Sequence, residues 1–146
     1  AAEAAPGPAA RDAVERFGAT RIGHGAHLAT DPASLAWIVD HGVAIEICPT
    51  SNWYTGAIPA PAAHPAPVFR AAGARLVLGD DNPVQTGSSL PAERRLLVEH
   101  LGFDAAALAR LDADSVDAAF TDDVTRRSLR AKLSSEVGHG GHDTTT

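Results

Sequence analysis

The chain has 146 residues, 45% of them hydrophobic, with one cysteine, no methionine and a formal net charge of −6. That is enough apolar content for the core of one modest domain, or for part of a larger one. The acidic balance argues against a duplex nucleic-acid surface, which needs clustered Lys and Arg. The lone Cys48 excludes an internal disulfide framework, and no apolar stretch reaches the roughly 18 residues of a membrane span.

In chain order, Pro6-Gly7-Pro8 opens a helix with Ala10, Ala13, Val14 and Phe17 on one face, and Gly18 suits the left-handed position that ends it. A short strand is expected at Thr20 to Gly23. Asp31-Pro32 supplies an N-cap followed by proline at the first helical position, and that helix presents Leu35, Ile38 and Val39 before stopping at Gly42. Val43 to Cys48 reads as a second strand, halted by Pro49. His64 to Ala72 reads as a shorter helix, and Ala74 to Leu78 as a third strand. This alternation predicts parallel strands joined by right-handed crossovers. The sheet face not packed on those helices is expected to be apolar and uncovered.

Beyond Pro83 the pattern is helical only. Leu90, Leu97 and Leu101 line one helix, closed by Gly102. Asp104 to Leu111, Asp114 to Phe120 and Asp122 to Leu133 read as three more, the last capped by Thr121. Residues 138–146, GHGGHDTTT, contain nothing apolar to bury and are expected to be a disordered tail to a structured region over 1–137.

Three short segments carry the chemistry: RIGHG from Arg21, EICPTSN from Glu46 and GDDNP from Gly79. Each places polar residues where a hydrophobic run stops. Side chains alternate along a strand with period two, so Asp80 and Asp81 point to opposite sides; one can face a metal while the other faces a substrate. Taken alone, Asp-Asp-Asn-Pro also reads as an ordinary turn. Glycines on both sides of His24 permit close backbone approach and leave its imidazole unobstructed, whereas a lone histidine is otherwise more often a core residue. Glu46 inside a strand needs a partner, and Arg21 on the neighbouring strand is available. Cys48 reads as a small buried apolar residue.

In this order the three segments resemble the last three strand ends of the adenosine deaminase family, metal-dependent purine deaminases of the amidohydrolase superfamily. The resemblance implies an α/β fold, the C-terminal part of a (β/α)8 TIM barrel with about three parallel strands plus C-terminal helices. A whole barrel takes about 250 residues; with Ala1 at its head and no methionine, the chain is expected to be incomplete, the N-terminal barrel half being needed for a complete site. By the same resemblance Asp80 is a zinc ligand, Asp81 contacts the purine ring, and His24 orients and polarises the water on the metal. The family's His-Ala-Gly-Glu segment would place its last three letters on Ala1-Ala2-Glu3, with Ala2 in place of glycine and Glu3 as the general acid that protonates a ring nitrogen. Otherwise Glu3 belongs to a loose alanine-rich terminus. His64-Pro65 also fits the family pattern and reads as a structural helix start. Asn82 departs from it, standing between the second aspartate and the proline.

The implied reaction is zinc-dependent hydrolytic deamination of a 6-aminopurine nucleoside, adenosine to inosine in type, with one zinc ion per complete site. Asp80 is the only implied ligand in this chain, and catalytic zinc takes at least three, so the chain alone is expected to be inactive. Adenine or 6-aminodeoxyfutalosine are alternative substrates. A non-catalytic truncated remnant and an unrelated small α/β binding domain are alternatives of another class. The expected partner is a small purine nucleoside, with neither nucleic acid nor membrane, and the expected compartment, for want of a signal-peptide pattern, is the cytoplasm.

Overall fold

A computed structural model of the chain describes residues 1–139, with side chains described through Ser135. Three short strands, β1 (Arg21–Gly23), β2 (Ala44–Ile47) and β3 (Arg75–Leu78), form one parallel sheet in the order β1-β2-β3. Between them lie α1 (Pro8–Phe17, ahead of β1), α2 (Pro32–Asp40), α3 (Pro49–Tyr54) and α4 (Ala66–Ala71); α5 (Pro83–Thr86), α6 (Leu90–Leu101), α7 (Ala105–Ala118) and α8 (Asp123–His139) follow. Most of the expected 138–146 tail lies outside the described residues. Among those described, no helix is long and apolar enough to cross a membrane.

The register puts Ile22, Ile45 and Leu76 in one row across the sheet, with Ile47 and Leu78 two positions on. By strand alternation these residues share a face, and they join Leu28, Leu35, Ile38, Phe69, Leu97 and Leu101 in a single core cluster. Three helix starts follow side-chain caps. Asp31, Ser89 and Asp104 accept the N–H of Ser34, Ala92 and Ala107, at 3.0, 3.4 and 2.8 Å.

The opposite face is not the bare apolar surface expected. It carries Arg21, Ala44 and Arg75 in one row and Gly23, Glu46 and Val77 in another. Arg21 pairs with Glu46, Nε to Oε1 at 2.5 Å, which satisfies the strand carboxylate as anticipated. Part of this face is also covered. Arg21 donates to the Ala118 carbonyl at 3.2 Å and lies 4.4 Å from the Phe120 ring centroid.

Several helices differ from expectation: α3 and α5 were not foreseen, α4 starts at Ala66 rather than His64, and α8 runs past Leu133 to His139, into the expected tail. The segments 104–111 and 114–120 form one helix, α7, because the aspartates that suggested a break have tertiary partners. Asp112 binds Arg94 at 2.5 Å. Asp114, 6% exposed, accepts from Arg110 at 3.1 Å and from the Leu76 N–H on the outer edge of β3 at 3.4 Å. The cap of α8 is Asp122 rather than Thr121: its carboxylate takes the Thr125 N–H at 2.8 Å. Phe17, placed on the apolar face of α1 by its spacing, is 79% exposed.

Candidate active site

All three motifs end at one edge of the sheet. The His24 N–H donates to the Glu46 carbonyl at 2.9 Å, extending the ladder one residue past β1, and the Gly79 N–H does the same to Ile47 at 3.0 Å. His24 and the Asp80-Asp81 pair therefore leave their strands at the same, C-terminal end, as the resemblance requires. Gly25 follows at φ +59°, where a Cβ would stand 3.2 Å from both Ile45 and Leu28, so the turn after His24 needs glycine.

The first three residues are pinned. Ala1 donates to the Gly23 carbonyl at 3.1 Å and accepts from Gly25 at 3.2 Å, and the Ala2 carbonyl takes the His27 N–H at 2.9 Å. Ala2 is 1% exposed. It adopts φ +55°, a left-handed conformation that ordinarily favours glycine. This backbone delivers Glu3 to the sheet edge, where its Oε1 accepts from Thr55 Oγ1 at 2.8 Å and Asn52 Nδ2 at 3.1 Å.

Asn52, wholly buried, is the hub. Besides Glu3, its Nδ2 meets His24 Nδ1 at 3.0 Å, and its Oδ1 meets His64 Nε2 at 3.1 Å. The other His24 nitrogen, Nε2, lies 3.9 Å from Asp81 Oδ2, too far for a hydrogen bond. That Asp81 oxygen accepts from Ser51 Oγ at 2.6 Å. Ser51 and Asn52 reach the site because α3 begins directly at the end of β2, with Pro49 as its first residue. No side chain of its own caps α3. Glu93 does so from α6: its Oε2 accepts the Thr50 N–H at 3.2 Å, its Oε1 binds the Ser88 hydroxyl, and the residue is 1% exposed.

Three non-glycine residues have positive φ among those described, namely Ala2, His24 and Asp81, at 55°, 71° and 57°. All three border this one site. Left-handed backbone is costly for residues with a Cβ and persists where the surroundings impose it, most often at functional sites. Asn82, the residue that departs from the motif, caps α5 by accepting the Gln85 N–H at 3.2 Å and so fixes the loop leaving Asp81.

Burial dominates the electrostatics. It pushes the Cys48 thiol up to about 12, with Asp81, Glu46, Glu93 and Glu3 nearby adding to the effect, so Cys48 is the inert residue expected. Burial also pushes His64 down to about 4, helped by His24. Asp80 makes no hydrogen bond or ion pair among the described residues, and no group of three or more His, Cys, Asp or Glu there could hold a metal ion. A cleft of about 510 Å³ opens at the far end of the strands, among Thr20, Ala44 and Phe120. Its arginines are already occupied, Arg21 by Glu46 and the Ala118 carbonyl, Arg75 by the Gly42 carbonyl and Arg126 by those of Val116, Asp117 and Thr121, so it offers no comparable chemistry.

The structure thus brings Glu3, His24 and Asp81 together and leaves Asp80 on the same edge. The spacing of motifs did not disclose the hub role of Asn52, the support from His64 or the remote cap from Glu93. The available signal for Asn52 was its place in the EICPTSN segment; nothing local marks Glu93.

A family model described as "Adenosine deaminase" matches residues 1–136. The adenosine deaminase of Shewanella denitrificans is 37% identical over 131 residues, covering 90% of this chain and 40% of its own length. The adenine deaminase of a Chelativorans species is 36% identical over 121 residues, covering 83% and 37%. The crystal structure of an adenine deaminase from Arthrobacter aurescens superposes with a TM-score of 0.88 at 27% identity, covering 94% of this chain and 42% of that one. The chain spans about two fifths of the length of these relatives.

Proposed function

Because the chain belongs to the adenosine deaminase family, we propose that it carries the acid and substrate side of a hydrolytic purine deaminase, which exchanges the 6-amino group of a purine nucleoside for a water oxygen and releases ammonia. The observation that supports this reading best is the convergence of Glu3 and His24 on one buried amide beside Asp81, where all the non-glycine residues with left-handed backbone among those described are gathered.

Each residue then has a task set by its contacts. Both donors to Glu3 fall on Oε1, so Oε2 is the oxygen left to hold the proton and pass it to a ring nitrogen. With Asn52 donating to its Nδ1, His24 presents Nε2 towards Asp81, into the space where the water and the amino-bearing carbon would meet. Asp81 is held by Ser51, which leaves Oδ1 to accept from the purine.

Asp80 is proposed as one zinc ligand. It cannot hold the ion alone, since a catalytic site takes three protein ligands and a water, and the described residues supply no such set. When bound by a complete set, zinc makes water a nucleophile at neutral pH; the further ligands would come from outside these residues. Adenine is a second substrate reading, favoured by the near-equal similarity to an adenine deaminase.

The test completes the chain with the N-terminal part of the Shewanella relative and measures zinc content and purine deamination. Asp80→Ala should lose both zinc and turnover. Asp81→Asn should keep its zinc while turnover collapses, and Glu3→Gln should behave likewise. Equal zinc loss in both aspartate variants would show that their roles are wrongly divided, and deamination by residues 1–146 alone would overturn the reading.

A further inference from the structure

We propose that His64, outside the acid and substrate groups, is a positioning residue that fixes the tautomer of His24 through the amide of Asn52. The inference rests on the reading of Glu3 and His24 given above, but its geometry stands apart from any activity.

The chain of reasoning starts from a backbone proton whose place is certain. The Ala66 N–H donates to His64 Nδ1 at 3.0 Å, so Nδ1 carries no hydrogen. A neutral imidazole then has its single proton on Nε2. Nε2 faces an Asn52 side-chain atom at 3.1 Å, and only an oxygen can accept from it. That fixes the Asn52 amide: Oδ1 towards His64, Nδ2 towards Glu3 and His24. The reverse orientation would leave two donors face to face at His64 and set an amide oxygen against the Glu3 carboxylate.

With Nδ2 so placed, its two hydrogens go to Glu3 Oε1 and His24 Nδ1. A nitrogen that accepts from Asn52 at 3.0 Å cannot also donate to Glu3 Oε1, which lies 3.4 Å away. His24 therefore holds its proton on Nε2, the nitrogen directed at Asp81. His64 and Asn52 are 2% and 0% exposed, so bulk solvent does not compete for the contact between them. Burial, which keeps the His64 imidazole neutral, supports the same assignment. Thus one main-chain amide at the start of α4 dictates, through two side chains, which nitrogen of His24 faces the reacting centre.

The assignment is tested by nitrogen NMR of the ¹⁵N-histidine-labelled 146-residue chain, which reports the tautomer of each imidazole directly. The expected spectrum shows both His24 and His64 as Nε2–H forms. Asn52→Asp keeps the acceptor for His64 but removes the donor, so His24 should move its proton to Nδ1. His64→Gln retains a side-chain N–H for Asn52 Oδ1 and should leave His24 unchanged. His64→Phe keeps bulk against Phe69 but donates nothing, and His24 should become a mixture of tautomers. In the completed barrel, His64→Phe should lower kcat by about 10²-fold, as for misplaced catalytic groups, with KM nearly unchanged and recovery in His64→Gln.

His24 remaining Nε2–H in Asn52→Asp, or His64 found as Nδ1–H, would overturn the proposal even if the barrel deaminates adenosine. A barrel that does nothing to purines while the tautomers shift as stated would instead reject the functional reading and leave the relay standing. A purely structural His64 would lower stability in both of its variants without moving the tautomer of His24.

Discussion

Glu93→Ala tests whether a carboxylate on α6 holds the start of α3, and hence Ser51 and Asn52, in place. Glu93 is 1% exposed, and its oxygens take the Thr50 N–H and the Ser88 hydroxyl. Removing it deletes two hydrogen bonds to a charged group, each worth about 1.5–3 kcal/mol, and strips an N–H in the first turn of a helix with no other side-chain cap. Against this, the variant no longer desolvates a carboxylate, which offsets several kcal/mol of the gross loss. The net expectation is a loss of about 2–4 kcal/mol, a large share of the roughly 5–15 kcal/mol that holds a domain together. Glu93→Gln keeps an acceptor for Thr50, while its amide can donate to a reoriented Ser88, so its cost should stay below about 1 kcal/mol. Urea unfolding at constant m value measures both, and amide exchange at Thr50 should speed up only in the alanine variant. Glu93→Ala within about 0.5 kcal/mol of the parent, or Gln as damaging as Ala, would refute the reasoning.

Three further outcomes are expected. Gly25→Ala meets both a positive φ and contacts at 3.2 Å and should cost about 1–3 kcal/mol, whereas Gly56→Ala, at φ +76° in open space, should cost only the backbone strain of about 1 kcal/mol; equal losses in urea would remove the packing part of the argument. His64 titrates near 4 when folded against 6.5 when free, so the unfolded chain binds the extra proton. Stability should be complete above about pH 6.5 and decline by about 3 kcal/mol as pH falls to about 4, and His64→Gln should flatten that slope; an unchanged acid profile would contradict it. Cys48, buried and shifted to about 12, should react with a thiol reagent at pH 8 only at the rate of unfolding, and rapid labelling of the native chain would be the contrary result.

What the sequence disclosed and what it hid follow the range of the forces involved. The strands were legible to within a residue or two because the apolar runs at 43–48 and 74–78 are bounded by glycine or proline, which are local signals. The cap at Asp31 and the helix start at Asp104 are equally local. Asp112 and Asp114 misled for the opposite reason. Aspartate suggests a helix start unless some distant group claims it, and here Arg94 and the β3 edge do so. The polar sheet face could not be read either, since period-two alternation over three or four residues is too short to separate Arg21 and Arg75 from strand-end residues. At the site, the motif residues stood out by type and position, but Asn52, His64 and Glu93 act on atoms that folding alone brings near, across 12 to 49 residues of chain.

The polar face of the sheet bears on where such a barrel can be divided. A seam placed ahead of β1 leaves Arg21 paired with Glu46 and covered by Phe120, Arg75 bound to the Gly42 carbonyl, and the Leu76 amide on the β3 rim in the keeping of Asp114. Charged side chains and covered strand edges are what natural sheets use to discourage stray pairing between molecules. Two pieces produced separately would then meet through surfaces that tolerate water in the interval, which is the property a split reporter needs.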